Sequence, residues 1–209
     1  IFWDKKSHKI YLTSFDSVFS VDERSKVKKL AGKEAFSFEN SGLAGAVNSI
    51  KEIKERDSLR SRSAAERYPN TPFLTGINTD SNGNLIIVDD NAHLLWKLTF
   101  EGQALFWAGG AHLWWDESSV DGCNYMAGFY SISDVIRDEL NHIYVSDHRL
   151  VRIISEKGCV STIKIPKISE KHKDINYKSI NIAIEKTRKF LYLLTENKVY
   201  KLGLQSLTL

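Results

Sequence analysis

Apolar and polar residues along this chain fall into short alternating runs separated by polar turns. The stretch LIIVDDNAHLLWKL (85–98) is the clearest: an apolar run, a polar turn, then a second apolar run. Three other stretches read the same way: KIYLTSFDSVFSV (9–21), HIYVSDHRLVRII (142–154) and FLYLLTENKVYKL (190–202). Tyr11, Ile87, Tyr144 and Tyr192 stand 76, 57 and 48 residues apart, and Val18, Leu95, Val151 and Val199 stand 77, 56 and 48 apart. Two anchors that keep nearly the same spacing through four copies mark an internal repeat. The runs lack helical spacing and are rich in Val, Ile, Tyr and Thr, so each copy predicts two antiparallel strands.

Flanking runs complete the unit. PFLTGINTD (72–80), FYSISDVIRD (129–138) and YKSINIAIE (177–185) precede three of the copies. Tight turns follow two of these, SNGN at 81–84 and ELNH at 139–142, where Gly83 supplies a positive φ at little cost. KVKKLAG (26–32), ALFWAGG (104–110) and CVSTIKI (159–165) add a fourth run. Four short antiparallel strands recurring at this spacing predict an all-β propeller of four-stranded blades, the first strand of each innermost. The blades fall at about 1–32, 72–110, 129–165 and 177–209, with a helical insert over about 33–71 between the first two. The sheets must close to protect their edges, and four blades with ragged ends predict part of a larger ring rather than a closed four-bladed one.

The strand, D-x-x-G-N, Ile/Tyr-Val-x-Asp, turn, Leu/Val-x-Lys/Arg-Ile/Leu pattern resembles NHL-repeat β-propellers. It is carried by DSNGNLIIVDDNAHLLWKL (80–98) and DELNHIYVSDHRLVRII (138–154). The first and last blades depart from it, with Ser14 and Thr195 where the motif aspartate belongs. DGCNYMAGF (121–129) is similar to the D-G-x4-A-x-F stretch that opens blades in this family. The resemblance implies a ring of six blades, and structural roles for Asp90, Asp147, His93 and His148, the aspartates holding turn amides. It is nearly silent on function, because such propellers include protein binders, readers of single-stranded RNA, and metal-dependent lyases and lactone hydrolases.

Composition changes this picture little. The 209 residues carry 29 basic and 26 acidic side chains, a formal charge of +3, which compels neither a nucleic-acid nor a membrane partner. No apolar run reaches the roughly 20 residues of a membrane helix. The chain begins with Ile1 and shows no signal peptide, as a processed chain also would, so its compartment is left open. Cys123 and Cys159 are too few for a disulfide framework or a zinc site. Because connections into a blade and turns before a fourth strand lie on opposite faces, both thiols are expected to be unpaired.

Function is sought in the two long connections, since loops on rigid scaffolds carry binding. The first holds Lys51, Lys54 and Arg56 in a mixed-charge helical pattern; the second gathers Trp107, His112, Trp114, Trp115 and Tyr125. An aromatic centre with a charged rim predicts a protein-binding surface and a non-catalytic interaction scaffold, with no metal, no cofactor and no catalytic residue. One alternative is single-stranded RNA on Lys164, Lys167, Lys171, His172, Lys173 and Lys178. The other is a propeller lyase or hydrolase whose metal ligands lie in further blades, since the inner strands here offer Asn78, Ser133, Asp134 and Asn181 but no histidine.

Overall fold

A computed structural model of the chain describes residues 1–36, 72–109, 119–163, 181–185, 190–195 and 198–204. The alternating runs form strands throughout. β1 (Phe2–Asp4), β2 (Lys9–Ser14), β3 (Ser17–Val21) and β4 (Val27–Ala31) make the first sheet. β5 (Leu74–Thr79), β6 (Leu85–Asp89), β7 (Leu94–Leu98) and β8 (Ala104–Gly109) make the second. After the short β9 (Gly122–Cys123), the third sheet is built from β10 (Ile132–Arg137), β11 (Ile143–Asp147), β12 (Leu150–Ile154) and β13 (Cys159–Ile163). The fourth contains β14 (Asn181–Ile184), β15 (Phe190–Leu194) and β16 (Val199–Gly203) among the described residues. Every pairing is antiparallel, between sequence neighbours except where β9 adds to β13, and the first strands of successive sheets pack on one another. This is the blade arrangement of a β-propeller. The expected helical insert falls on residues outside those described, apart from a short 3-10 turn at Lys33–Ala35.

Alternation puts opposite faces of each blade into opposite seams. Ile87, Leu94, Trp96 and Leu98 face the first blade with Tyr11 and Val18, while Ile86, Val88 and Leu95 face the third with Val135, Val145 and Ile154. Tyr144 and Val151 meet Ile182, Leu191 and Leu193 of the fourth. These seams, not a single central core, hold the blades together.

The same polar devices recur blade by blade. Asp4, Asp80 and Asp138 end the first strand of their blades, and each carboxylate accepts amides of the following turn: Lys6 and Ser7, Asn82 and Asn84, Leu140 and His142. At the end of the second strand Asp147 accepts the Ser131 amide and pairs with Arg152 of β12. Its counterpart in the second blade is Asp89, not Asp90: Asp89 accepts the Phe73 amide and the Trp96 indole N–H. Asp89 follows Asp80 at the same distance as Asp147 follows Asp138, and only the turn after it differs, with four residues (90–93) against two (148–149) between β11 and β12. Asp90 reaches the next blade, accepting the Ile132 amide at 3.1 Å. His93 and His148 both occupy the turns with left-handed backbone, φ 53° and 54°.

The cysteines are joined, contrary to expectation: Cys123 and Cys159 form a disulfide with Cα atoms 3.8 Å apart. The connection into the third blade does not stay on one face. It runs down the outer edge of that blade, where β9 adds a fifth strand to β13 and places Cys123 directly opposite Cys159. The Asn124 amide bonds the Gly158 carbonyl, so the two cysteines form the non-hydrogen-bonded pair, the closer kind in an antiparallel ladder. The segment then turns back, and a bridge between Val120 and Gly128 closes a hairpin. Ala127 and Phe129 from its returning limb are buried in the seam between the second and third blades.

That hairpin is the D-G-x4-A-x-F stretch, and each signature residue has a physical task. Asp121 accepts from the Thr162 amide and hydroxyl and from Arg152. Gly122 passes so close to the Met126 carbonyl that a Cβ would lie 2.6 Å from its oxygen. Arg152, with no exposed surface, donates to the Gly128 and Val120 carbonyls and to Asp121 and Asp147.

Candidate functional site

The sequence places candidates in the connections, and most of these lie outside the described residues: Lys51, Lys54, Arg56, His112, Trp114 and Trp115. So do Lys164, Lys167, Lys171, His172, Lys173 and Lys178. Trp107 is described and is not a surface residue. It is 5% exposed, packed in the seam between the second and third blades. Its indole N–H donates to the Glu156 carbonyl, and the Lys97 ammonium sits 4.4 Å from the ring centroid. Alternation along β8 turns this side chain into the seam, which removes it from the exposed candidates. Tyr125, half-exposed on the hairpin, is the one aromatic of that group still at the surface among the described residues.

The innermost strands offer a second location. Two of their polar side chains stitch blades together. The Asn78 amide donates to the Val135 carbonyl, and Asp134 Oδ2 accepts the Ile182 amide of the fourth blade at 3.1 Å. Asp134 breaks the repeat. In the second blade its place is taken by Gly76, where a Cβ would lie 2.7 Å from Cγ2 of the opposing Val88. In the third blade the opposing residue is Ser146, which bonds Ser133 at 2.8 Å and leaves the room that Val88 fills. A carboxyl is thus admitted on the inner strand by a smaller partner across the ladder. Burial pushes the Asp134 carboxyl above its ordinary value, although amide bonds from Ile182 and Val135 pull the other way.

Two further inner-strand charges escaped the sequence reading, Asp4 on β1 and Arg137 at the end of β10. Burial pushes the Asp4 carboxyl up, but bonds from Ser7 and Lys6 and the charge of Arg137 more than reverse this and hold it below its ordinary value. The Arg137 guanidinium is steered by Asn141, whose side-chain oxygen accepts from it at 2.8 Å. Nothing in the alternating pattern flags these residues, because strand ends are polar in any case. Asn181 is exposed and Ser133 half-buried on the same set of strands. Among the described residues no three His, Cys, Asp or Glu side chains stand close enough to hold a metal ion, so the metal that some propeller enzymes carry finds no complete ligand set in them.

No protein-family model and no curated protein matches the chain. Solved structures do. Virginiamycin B lyase from Staphylococcus aureus, in a catalytically inactive form with quinupristin, matches at TM-score 0.55 and 12% identity over 96% of this chain and 50% of its own. A gluconolactonase from Xanthomonas campestris matches at TM-score 0.60 and 11% identity, over 96% of this chain and 56% of its own. An auxiliary nutrient-binding protein from Bacteroides thetaiotaomicron matches at TM-score 0.56 and 13% identity, over 92% of this chain and 45% of its own. The chain therefore spans about half the length of these neighbours. At such identities the likeness establishes the fold, a β-propeller portion, and not the NHL family in particular. The expectation of a non-catalytic interaction scaffold is corrected in one respect: the neighbours include a lyase and a lactonase, so the fold match does not single out a scaffold.

Proposed function

We propose that this chain contributes blades to a propeller enzyme, a lyase or hydrolase opening a cyclic ester, whose site lies along the innermost strands. The observation that carries the reading is Asp134, a half-buried carboxyl standing where the second blade has Gly76 and the fourth has Ile182. A carboxyl raised by burial is a candidate for moving a proton, and the guanidinium of Arg137, at the end of the same strand, for holding charge that develops on a substrate oxygen. A virginiamycin B lyase and a gluconolactonase share the fold, which supports the choice of reaction class. The described residues hold no metal set, so any metal ligands belong elsewhere and no step is routed through them.

The test is turnover by the purified chain, together with any polypeptide that co-purifies, on sugar lactones and on cyclic depsipeptides. Ring opening is expected, with kcat falling about a hundredfold in Asp134→Asn and KM rising in Arg137→Ala. A folded protein that opens neither class of ring refutes the proposal. Turnover unaffected by Asp134→Asn refutes the role given to that carboxyl.

A further inference from the structure

We propose that the Cys123–Cys159 disulfide is a redox latch on the outer limb of the hairpin that wedges the seam between the second and third blades. Closed, it holds residues 119–126 against β13; opened, it releases that limb while the four sheets persist.

The limb is poorly held by anything else. Asp121, Cys123, Asn124, Tyr125 and Met126 are all exposed, and the 3-10 turn at Asn124–Met126 buries no residue. Its ladder with β13 has only two rungs, Cys159 with Cys123 and Val160 with Gly122. Outside the disulfide, the attachments are polar: the half-exposed Asp121 carboxylate with Thr162 and Arg152, the Val120 carbonyl accepting from Arg152, and Asn124, whose backbone amide bonds the Gly158 carbonyl and whose side-chain amide faces the Lys157 and Trp107 carbonyls. The returning limb is different: Ala127 and Phe129 are buried among Trp107, Ile132 and Val145. Few buried apolar contacts and a solvent-exposed ladder are the signature of a segment that opens locally. The covalent link supplies what packing does not.

The bond is also reachable. Cys123 is exposed and Cys159 half-buried, so a thiolate of an external dithiol attacks the Cys123 sulfur and Cys159 leaves as thiolate. The second thiol of the dithiol then resolves the mixed disulfide and frees Cys123. Two electrons and two protons have passed to the cysteines, and the dithiol departs as its own disulfide. The closed latch is accordingly the form that an oxidising compartment maintains.

The experiment is amide hydrogen exchange on the full chain, oxidised and after reduction by a dithiol, with Cys123→Ala/Cys159→Ala as a reagent-free counterpart. In the oxidised chain no alkylatable thiol is expected under denaturing conditions. On reduction the amides of Val120, Asn124 and Thr162 should exchange about tenfold faster or more, while those of β6 and β11 keep their rates. Two free thiols in the oxidised protein overturn the proposal. So do unchanged rates at the hairpin, which would mean that the disulfide adds nothing to it. Loss of protection through all four sheets overturns it too, because the bond would then be a general staple and not a latch.

Discussion

Replacing Arg152 by methionine should cost the fold about 4 kcal/mol, a large fraction of the stability of any single domain. Neither side chain of the Arg152–Asp147 pair has exposed surface, and the two stand 2.7 Å apart. Methionine fills similar space but leaves the Asp147 carboxylate buried without its counter-charge. Two carbonyls, of Gly128 and Val120, lose a donor as well. Breaking such a pair from one side typically costs about 3–5 kcal/mol, most of it the stranded charge. The second ion pair of Arg152, with Asp121, adds little, because the Asp121 side chain is 54% exposed and screened by water. Asp121→Asn is therefore expected to cost about 1 kcal/mol or less, and the contrast between the two aspartates is part of the test.

Urea unfolding followed by tryptophan fluorescence reads the effect directly. With a slope of about 2 kcal/mol/M, the Arg152→Met midpoint should fall by about 2 M. Adding Asp147→Asn should restore at least about 2 kcal/mol, since the amide oxygen still accepts the Tyr130 and Ser131 amides and the stranded charge is gone. A loss under about 1 kcal/mol in Arg152→Met, or strict additivity of the two changes, would refute the view that this guanidinium is the keystone of the third blade.

Three further outcomes are expected. Trp107→Ala should lower stability by about 4 kcal/mol, seen as a drop in Tm, because the indole fills the seam between blades; an unchanged Tm would return this residue to the surface candidates. Gly109→Ala should cost about 2 kcal/mol by chemical denaturation, since φ is 113° and the added Cβ would lie 2.5 Å from the His93 carbonyl oxygen. Burial, against bonds from Phe73, Ala92 and Trp96, pushes the Asp89 carboxyl above its ordinary value of 3.8, so the folded state holds this proton more tightly than the unfolded one. That group's contribution to stability falls as pH rises from 3.8 through the higher folded value, and Asp89→Asn should remove that part of the pH dependence in denaturation curves.

The blade pattern was legible because burial on both faces of a strand leaves short apolar, β-branched runs between polar turns, and every seam here is built from them. The roles of Asp89 and Asp90 were not, because Ile87, Val88 and Asp90 fit the motif spacing, whereas the distance from Asp80 and the pairing of the strands mark Asp89 as the counterpart of Asp147. Trp107 was misjudged for a related reason. It was counted with the loop that follows it, although it lies within β8, where a register shift against β7 leaves Trp107 and Ala108 both buried in the seam with the third blade. The disulfide was missed because the number of residues in a connection says nothing about its path. The signal was present in Ala127 and Phe129, two apolar residues in a polar stretch, whose burial forces the connection into the seam and down the blade edge.

The same comparison between blades says where chemistry should be sought. Most motif aspartates are occupied: Asp80 and Asp138 hold turns, Asp89 and Asp147 tie strands together, and Asp90 reaches the next blade. Replacing any of them costs structure first, so a loss of activity at those positions would report folding and not catalysis. A functional residue in a repeat protein is better recognised as a departure that the structure has to accommodate. Asp134 is such a departure, since its neighbour across the ladder is Ser146 where the second blade has Val88 against Gly76. If the carboxyl served only to accept the Ile182 and Val135 amides, asparagine would keep one of the two bonds, and Asp134→Asn would lower Tm modestly and leave turnover intact. If it moves a proton, the same modest change in Tm comes with a loss of turnover. The variant therefore separates stitching from chemistry at the one inner-strand position where the repeat leaves the question open.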